Sequence, residues 1–239
     1  LINLAGKSVD CRYTERNKKA IFDSRTDSTA ALENAISSLK NPPKLWLNSS
    51  SATYYRHSLD QPMDEKTGEA GTGFSVEVCK KWEATFNRFN LPKTRKVIMR
   101  TAMVLGNDGG AFPMFSRLTR LGLGGRMGGG KQYFAWLHEK DFCAMVNWFY
   151  ENENTSGVYN CCSPYPIPNR EFMRVLRRVY GVRFGLPSPR WLLTIGAFFL
   201  RTETELPLKS RFVVPGRLKD EGFSFAFPKI EDAMQDLVE

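Results

Sequence analysis

Apolar residues recur along the chain in two periods, and the alternation between those periods predicts the fold. "LINLAG" at residues 1–6 has the pattern of a buried strand ending in small residues. Residues 12–39 place Ala20, Ile21, Ala31, Leu32, Ala35, Ile36 and Leu39 at helical spacing, and Asn41-Pro42-Pro43 ends that helix. A second strand, "KLWLNSSS", covers residues 44–51 and runs into hydroxyl side chains. A helix over 74–89 and a third strand, "RKVIMRTAMVLG" over 95–106, follow. Beyond these the pattern gives a short helix at 112–121, a glycine run, a strand-like "QYFAWLH" at 132–138, a helix over 140–150 and a strand "GVYNCC" at 157–162. The rest is punctuated by proline, with helices expected at 169–180, 189–201, 204–212 and 230–238.

Strand, helix, strand, helix, strand is the order of an α/β protein with a Rossmann-type parallel sheet and right-handed crossovers. Residues 1–160 are assigned to the sheet domain, with 107–138 inserted towards a smaller, mostly helical lobe at 161–239. In such sheets ligands sit beyond the carboxyl ends of the strands. Those ends carry Ala5-Gly6, Ser49-Ser50-Ser51 and Arg100-Thr101.

Composition narrows the function. The chain has 239 residues, of which 42% are hydrophobic, enough to bury a large core. Its longest apolar run, Trp191 to Leu200, is interrupted by Gly196 and falls short of a bilayer span of about 18–20 residues. No secretory leader is visible. The five cysteines make no CxxC pair and are odd in number, which indicates reduced thiols and a cytoplasmic location. With only two histidines, no metal site is expected. The net charge of +9 is spread along the chain; it suits a phosphorylated cofactor or an acidic small-molecule substrate, and no nucleic-acid or membrane partner is expected.

"GRMGGGKQ" at 125–132 spells most of a phosphate-binding P-loop. It fails as one. Gln132 stands where a Mg²⁺-coordinating Ser or Thr is required, the preceding segment is not a strand, and "YFAWLH" is not a helix start. The run is read as a flexible hairpin or flap between sheet and lobe, with Arg126, Lys131 and Trp136 lining the substrate side.

Specific motifs carry a resemblance. "SSSATYY" (49–55), "NLAG" (3–6), "RTAMVLG" (100–106) and "LHEKD" (137–141) resemble successive signatures of the extended short-chain dehydrogenases/reductases, the sugar-nucleotide epimerase group. "GLGGRMGGGKQYFAWLH", "DGGAFPMF" and "RFVVPGRLKDEGFSFAFPKIEDAM" resemble an atypical epimerase-like branch with a C-terminal domain of unknown function. The resemblance implies NADP, or alternatively NAD, lying along Asn3, Leu4, Ala5, Gly6, Ser49, Ser50, Arg100, Thr101, Val104 and His138. It also implies a homodimer paired through the two long helices, and epimerisation or reduction of a carbonyl or sugar-nucleotide substrate.

Two departures stand out. The Gly-rich turn that holds the cofactor pyrophosphate in this family has no counterpart in residues 1–239. The expectation is a chain lacking the N-terminal βαβ part, its first strand left with an exposed edge. Aligned on Glu83, the family's Tyr-x-x-x-Lys pair becomes Ser75 and Cys79, and Lys80 points about 100° away around the helix. Ser51, Tyr54 and Tyr55 are then the candidate catalytic groups. The alternatives are a non-catalytic dinucleotide sensor, or a fragment that binds no cofactor. Cys79 reads as either a nucleophile or a small core residue, His138 as a proton donor or a cap, and Arg25 as the active-site floor or a backbone anchor; His57 reads as solvated.

Overall fold

The computed structural model describes residues 1–200 and 205–239, with the side chains of 196–206 outside the description. Strand β1 (Ile2–Asn3) leads to helix α1 (Glu15–Ser38), whose first turn is capped by Thr14 accepting from Asn17 N at 3.2 Å. Then come β2 (Leu45–Ser51), α2 (Phe74–Asn87) and β3 (Arg95–Thr101). With β7 (Gly157–Cys161) these strands make one four-stranded, wholly parallel sheet in the order β1-β2-β3-β7. The expected α/β class is thus observed.

Period-2 alternation assigns the two faces of the sheet. Leu45, Leu47, Val97 and Met99 pack with Met145 and Phe149 of α4 (Glu139–Glu151). Trp46 and Ile98 point the other way, against Ile36 of α1 and Phe86 of α2. Both faces are therefore covered, as a parallel sheet requires. β1 and β7 are the two edge strands; Ile2 of β1 and the flanking Leu1 and Leu4 are exposed.

The third strand does not run through to Gly106. At Ala102 the chain changes partner: Ala102 N donates to Cys161 O at 3.0 Å, and Met103 N donates to Ala135 O at 3.2 Å. The continuation, β4 (Met103–Leu105), pairs in parallel with β6 (Trp136–His138) in a separate small sheet. "QYFAWLH" divides in the same way at Ala135, because β5 (Tyr133–Phe134) pairs antiparallel with β8 (Ile167–Pro168). Helix α3 (Phe112–Arg120) and β5 bury Phe115 and Phe134 against Phe172 of α5 (Asn169–Val179) and Met234 of α9 (Ile230–Val238). The remaining helices are α6 (Arg190–Leu200), α7 (Glu205–Leu208) and α8 (Gly216–Asp220). Of the helices expected at 189–201 and 204–212, Arg201 and Thr204 lie outside the described residues; the second is described only as the one turn of α7. No described helix is long and apolar enough to cross a membrane.

The glycine run is hydrogen-bonded to a second segment of chain. Leu186 N donates to Gly122 O (2.8 Å), Gly125 N to Leu186 O (3.1 Å), Ser188 N to Arg126 O (2.9 Å) and Gly128 N to Ser188 O (2.8 Å). Met127 N is held by the Asn169 carboxamide at 2.7 Å, and Gln132 returns a bond to Met127 O at 2.9 Å. Glycine is needed here because two backbones approach each other: a Cβ on Gly125 would run into the Leu186 carbonyl and the Pro187 nitrogen. Neither backbone can yield without breaking that ladder. Gly125→Ala should therefore cost about 1–3 kcal/mol in chemical denaturation. Gly129→Ala, whose Cβ would meet nothing within 4 Å, should stay within about 0.5 kcal/mol of wild type. Equal stabilities for the two variants would mean that the ladder does not hold this segment.

Candidate functional site

In a parallel sheet ligands sit beyond the carboxyl ends of the strands, and here those of β1, β2 and β3 lie side by side. At the first of these Asn3 is buried, donating to Asn48 Oδ1 (2.7 Å) and Thr29 Oγ1 (3.3 Å). Its own Oδ1 accepts from Ala5 N at 3.1 Å, which turns the chain out of the sheet. The backbone of Leu4-Ala5-Gly6 is thereby left open to solvent. Arg25 fastens this loop to α1, donating to Lys7 O and Ile21 O, both at 3.0 Å, with its guanidinium 5.0 Å from the Trp82 ring centre. Of the two readings of Arg25, the backbone anchor is the one seen. A Cβ on Gly6 would stand 3.0 Å from its Cζ.

Beneath the ends of β2 and β3 lies a buried polar network. Arg100 and Glu83 pair in a fork (Nε to Oε1 2.9 Å, Nη2 to Oε2 2.7 Å), and Ser50 donates to the same Oε1 at 2.6 Å. Arg100 Nη1 donates to the Tyr55 hydroxyl at 3.0 Å, which donates in turn to Asn160 Oδ1 at 2.9 Å. Burial works against the Arg100 charge, but Glu83's bonds and charge outweigh it and raise the guanidinium pKa. Burial pushes the Tyr55 phenol up to about 12. Arg100 and Ser50 are committed to Glu83, and Tyr55 is a core residue with its hydroxyl fully engaged.

Tyr54 and Ser51 stand on the open side. The Tyr54 ring lies over the Arg100 guanidinium, Cζ 3.4 Å from its centre, and is half-buried. No described residue hydrogen-bonds its hydroxyl. Ser51, half-buried, caps the turn 52–54 by accepting from Thr53 N at 3.2 Å, and its proton has no acceptor among the described residues. Ser49 and Thr101 bond neighbouring carbonyls of their own strands, and Val104 lies half-buried in β4.

On the far wall Lys209 Nζ donates to Thr53 O (2.8 Å) and Arg211 Nε to Thr53 Oγ1 (3.1 Å). Their strip of chain is zipped to the loop after Tyr55: Met63 N donates to Phe212 O (2.7 Å), and His57 Nδ1, read as solvated, accepts from Ser210 N (3.1 Å). Near the start of α2, Ser75 lies 3.4 Å from the Tyr13 hydroxyl. Cys79 is buried in α2, and burial first, then Glu83, pushes its thiol up to about 11, which fits the small core residue of its two readings. Tyr13, Lys209 and Arg211 escaped sequence reasoning, because only the fold brings residues so far apart to one crevice.

Two other expected contacts lie elsewhere. Trp136 is fully buried, its indole donating to Tyr165 O at 3.1 Å. His138 is also fully buried; Nδ1 accepts from Lys140 N at 3.1 Å to cap α4, Nε2 lies 3.3 Å from Asp236 of α9, and the ring stacks on Phe227 at 4.0 Å. Arg126 and Lys131 are exposed on the glycine turn. No His/Cys/Asp/Glu group suited to a metal ion occurs among the described residues.

An open parallel sheet, small residues where the first strand ends, and serine and tyrosine at the second define an extended Rossmann-type protein. The chain is 32% identical over 240 residues to the human epimerase family protein SDR39U1, covering 99% of this chain and 81% of that one. It is 32% identical over 239 residues to the epimerase family protein SSP1921 of Staphylococcus saprophyticus, covering 100% of this chain and 79% of the relative. The crystal structure of human SDR39U1 (isoform 2) with NADPH superposes with a TM-score of 0.92 at 31% identity, over 99% of this chain and 80% of that one. Residues 188–237 match a domain of unknown function, DUF1731. The chain belongs to this epimerase family of short-chain dehydrogenase/reductase-like proteins.

Glu83→Gln leaves the buried Arg100 without a counter-charge and should cost about 3–5 kcal/mol in denaturant unfolding. The double variant Glu83→Gln/Arg100→Met should recover part of that loss; a single-variant cost under about 1 kcal/mol would remove the network from its structural role. A second test concerns His138. Burial lowers its pKa below 6.5, more than Asp236 raises it, so the folded state favours neutral imidazole. Its contribution is therefore full above the unfolded pKa and declines as pH falls below about 6.5. Between pH 7.5 and 5.5 the wild-type Tm should fall more than that of His138→Gln; parallel profiles would contradict this.

Proposed function

We propose that the protein is an NADP(H)-dependent oxidoreductase or epimerase acting on a carbonyl or sugar-nucleotide-type substrate in this crevice. The observation that carries the reading is the match, along 99% of the chain, to a relative solved with NADPH. The residues present fit the nicotinamide half of such a cofactor: small, exposed Ala5 and Gly6 at the end of the first strand permit close backbone approach, and Ser51 carries a proton with no acceptor among the described residues. When bound, the nicotinamide supplies or accepts hydride. Ser51 donates a hydrogen bond to the substrate oxygen. Tyr54, its ring held on Arg100, passes the proton, a role the family's resemblance gives to the position of Ser75.

A second reading, dinucleotide binding without turnover, is favoured by Ser75 and Cys79, which cannot replace a Tyr-Lys pair. One set of measurements separates the two. NADPH should quench protein fluorescence saturably and more tightly than NADH. Tyr54→Phe should lower turnover about 100-fold or more while leaving that binding unchanged. Binding without oxidation of NADPH across carbonyl and sugar-nucleotide substrates would establish the sensor, and failure to bind either dinucleotide would overturn both readings.

A further inference from the structure

The positive charge that looks dispersed along the sequence is gathered by the fold. Residues 112–131 hold four basic side chains and no acidic one; residues 164–195 hold six and one. Together they are net +9, the whole of the chain's formal charge. The ladder between 122–128 and 186–188 joins the two segments into one surface, and Arg177 Nη1 reinforces it by donating to Gly124 O at 2.6 Å. Of these ten cations only Arg174 is ion-paired among the described residues, to Glu171.

The same surface is apolar. Leu121 and Leu123 flank Gly122 on one side of the ladder, and Phe184 and Leu186 lie on the other. Helix α6 continues the surface: Leu193 packs on the core beneath while Trp191 and Ile195, one turn apart, face outward. Leu121, Phe184 and Trp191 are each about two-thirds exposed, at 67%, 64% and 65%. Leucine, phenylalanine and tryptophan set among unpaired arginines, around a helix resting flat on its protein, is the pattern of a surface that lies in a bilayer interface. A second copy is disfavoured, because a two-fold contact would set nine net positive charges against the same nine.

We infer that this face docks peripherally on an anionic lipid surface, with the arginines on the headgroups and Leu121, Phe184 and Trp191 inserted just below them. This surface is separate from the strand-end crevice, so it stands or falls independently of the cofactor reading.

The test is sedimentation of the full chain with vesicles of phosphatidylcholine alone and of phosphatidylcholine with about a third phosphatidylserine. The anionic vesicles should be preferred at least about tenfold, with a blue shift in tryptophan emission, and the preference should weaken as salt rises. Phe184→Ser/Trp191→Ala, both at exposed positions, should lose that tenfold, as should Arg126→Glu/Arg183→Glu/Arg190→Glu. Lys40→Glu, exposed on another face, should not. The proposal is overturned by equal binding to both vesicles, by anionic binding that survives the apolar substitutions, or by no vesicle binding. It is equally overturned by duplex DNA binding, or by self-association that Trp191→Ala abolishes, in the absence of vesicle binding.

Discussion

The forked ion pair between Arg100 and Glu83 is the constraint on which the site is built. Both side chains are largely withdrawn from water, where a lone charge is costly, so each obliges the other to stay. That obligation fixes α2 against β3 at the point where the strands end. Through Ser50 it reaches β2, and through Tyr55 and Asn160 it reaches β7. Asn160 then bonds Val214 O and, from its backbone, the Glu65 carboxylate, which also accepts from Arg217 N. One connected set of hydrogen bonds thus runs from the centre of the sheet to the C-terminal segment.

The crevice is what this scaffold leaves open. Arg100 spends its hydrogen bonds inward and presents only a flat cationic face, on which the Tyr54 ring rests. Tyr55, one residue later, points into the core, so neighbouring tyrosines have opposite fates. The C-terminal strip at 209–214 closes the far side by pairing with the loop after Tyr55.

Most elements were legible from their apolar positions, Ile21 and Ile36 in α1 and the run Leu45-Trp46-Leu47 in β2; the buried face of α1 was only partly so, because Ala31, Ala35 and Leu39 are exposed while Thr29 and Glu33 are buried. The breaks at Ala102 and Ala135 were not legible. Ala135 lies inside the apolar run 133–137, and Ala102 follows Arg100-Thr101 at the head of another, and in neither place does composition show which strand the backbone will pair with next. The pairing of the glycine run was not legible, because glycine serves close backbone approach as well as freedom, and only the fold brings 186–188 beside it. At the site, strand ends and small residues were readable. The occupation of Arg100, Tyr55, Trp136 and His138 was not, because their partners Glu83, Asn160, Tyr165 and Asp236 lie 17 to 105 residues away.

The central claim, that the strand-end crevice and not the glycine run receives the dinucleotide, is most directly tested by hydrogen–deuterium exchange with and without saturating NADPH. The structure predicts slowed exchange at residues 3–6 and 49–54, with 122–131 unchanged. Protection centred on 122–131, with the strand ends unaffected, would contradict it.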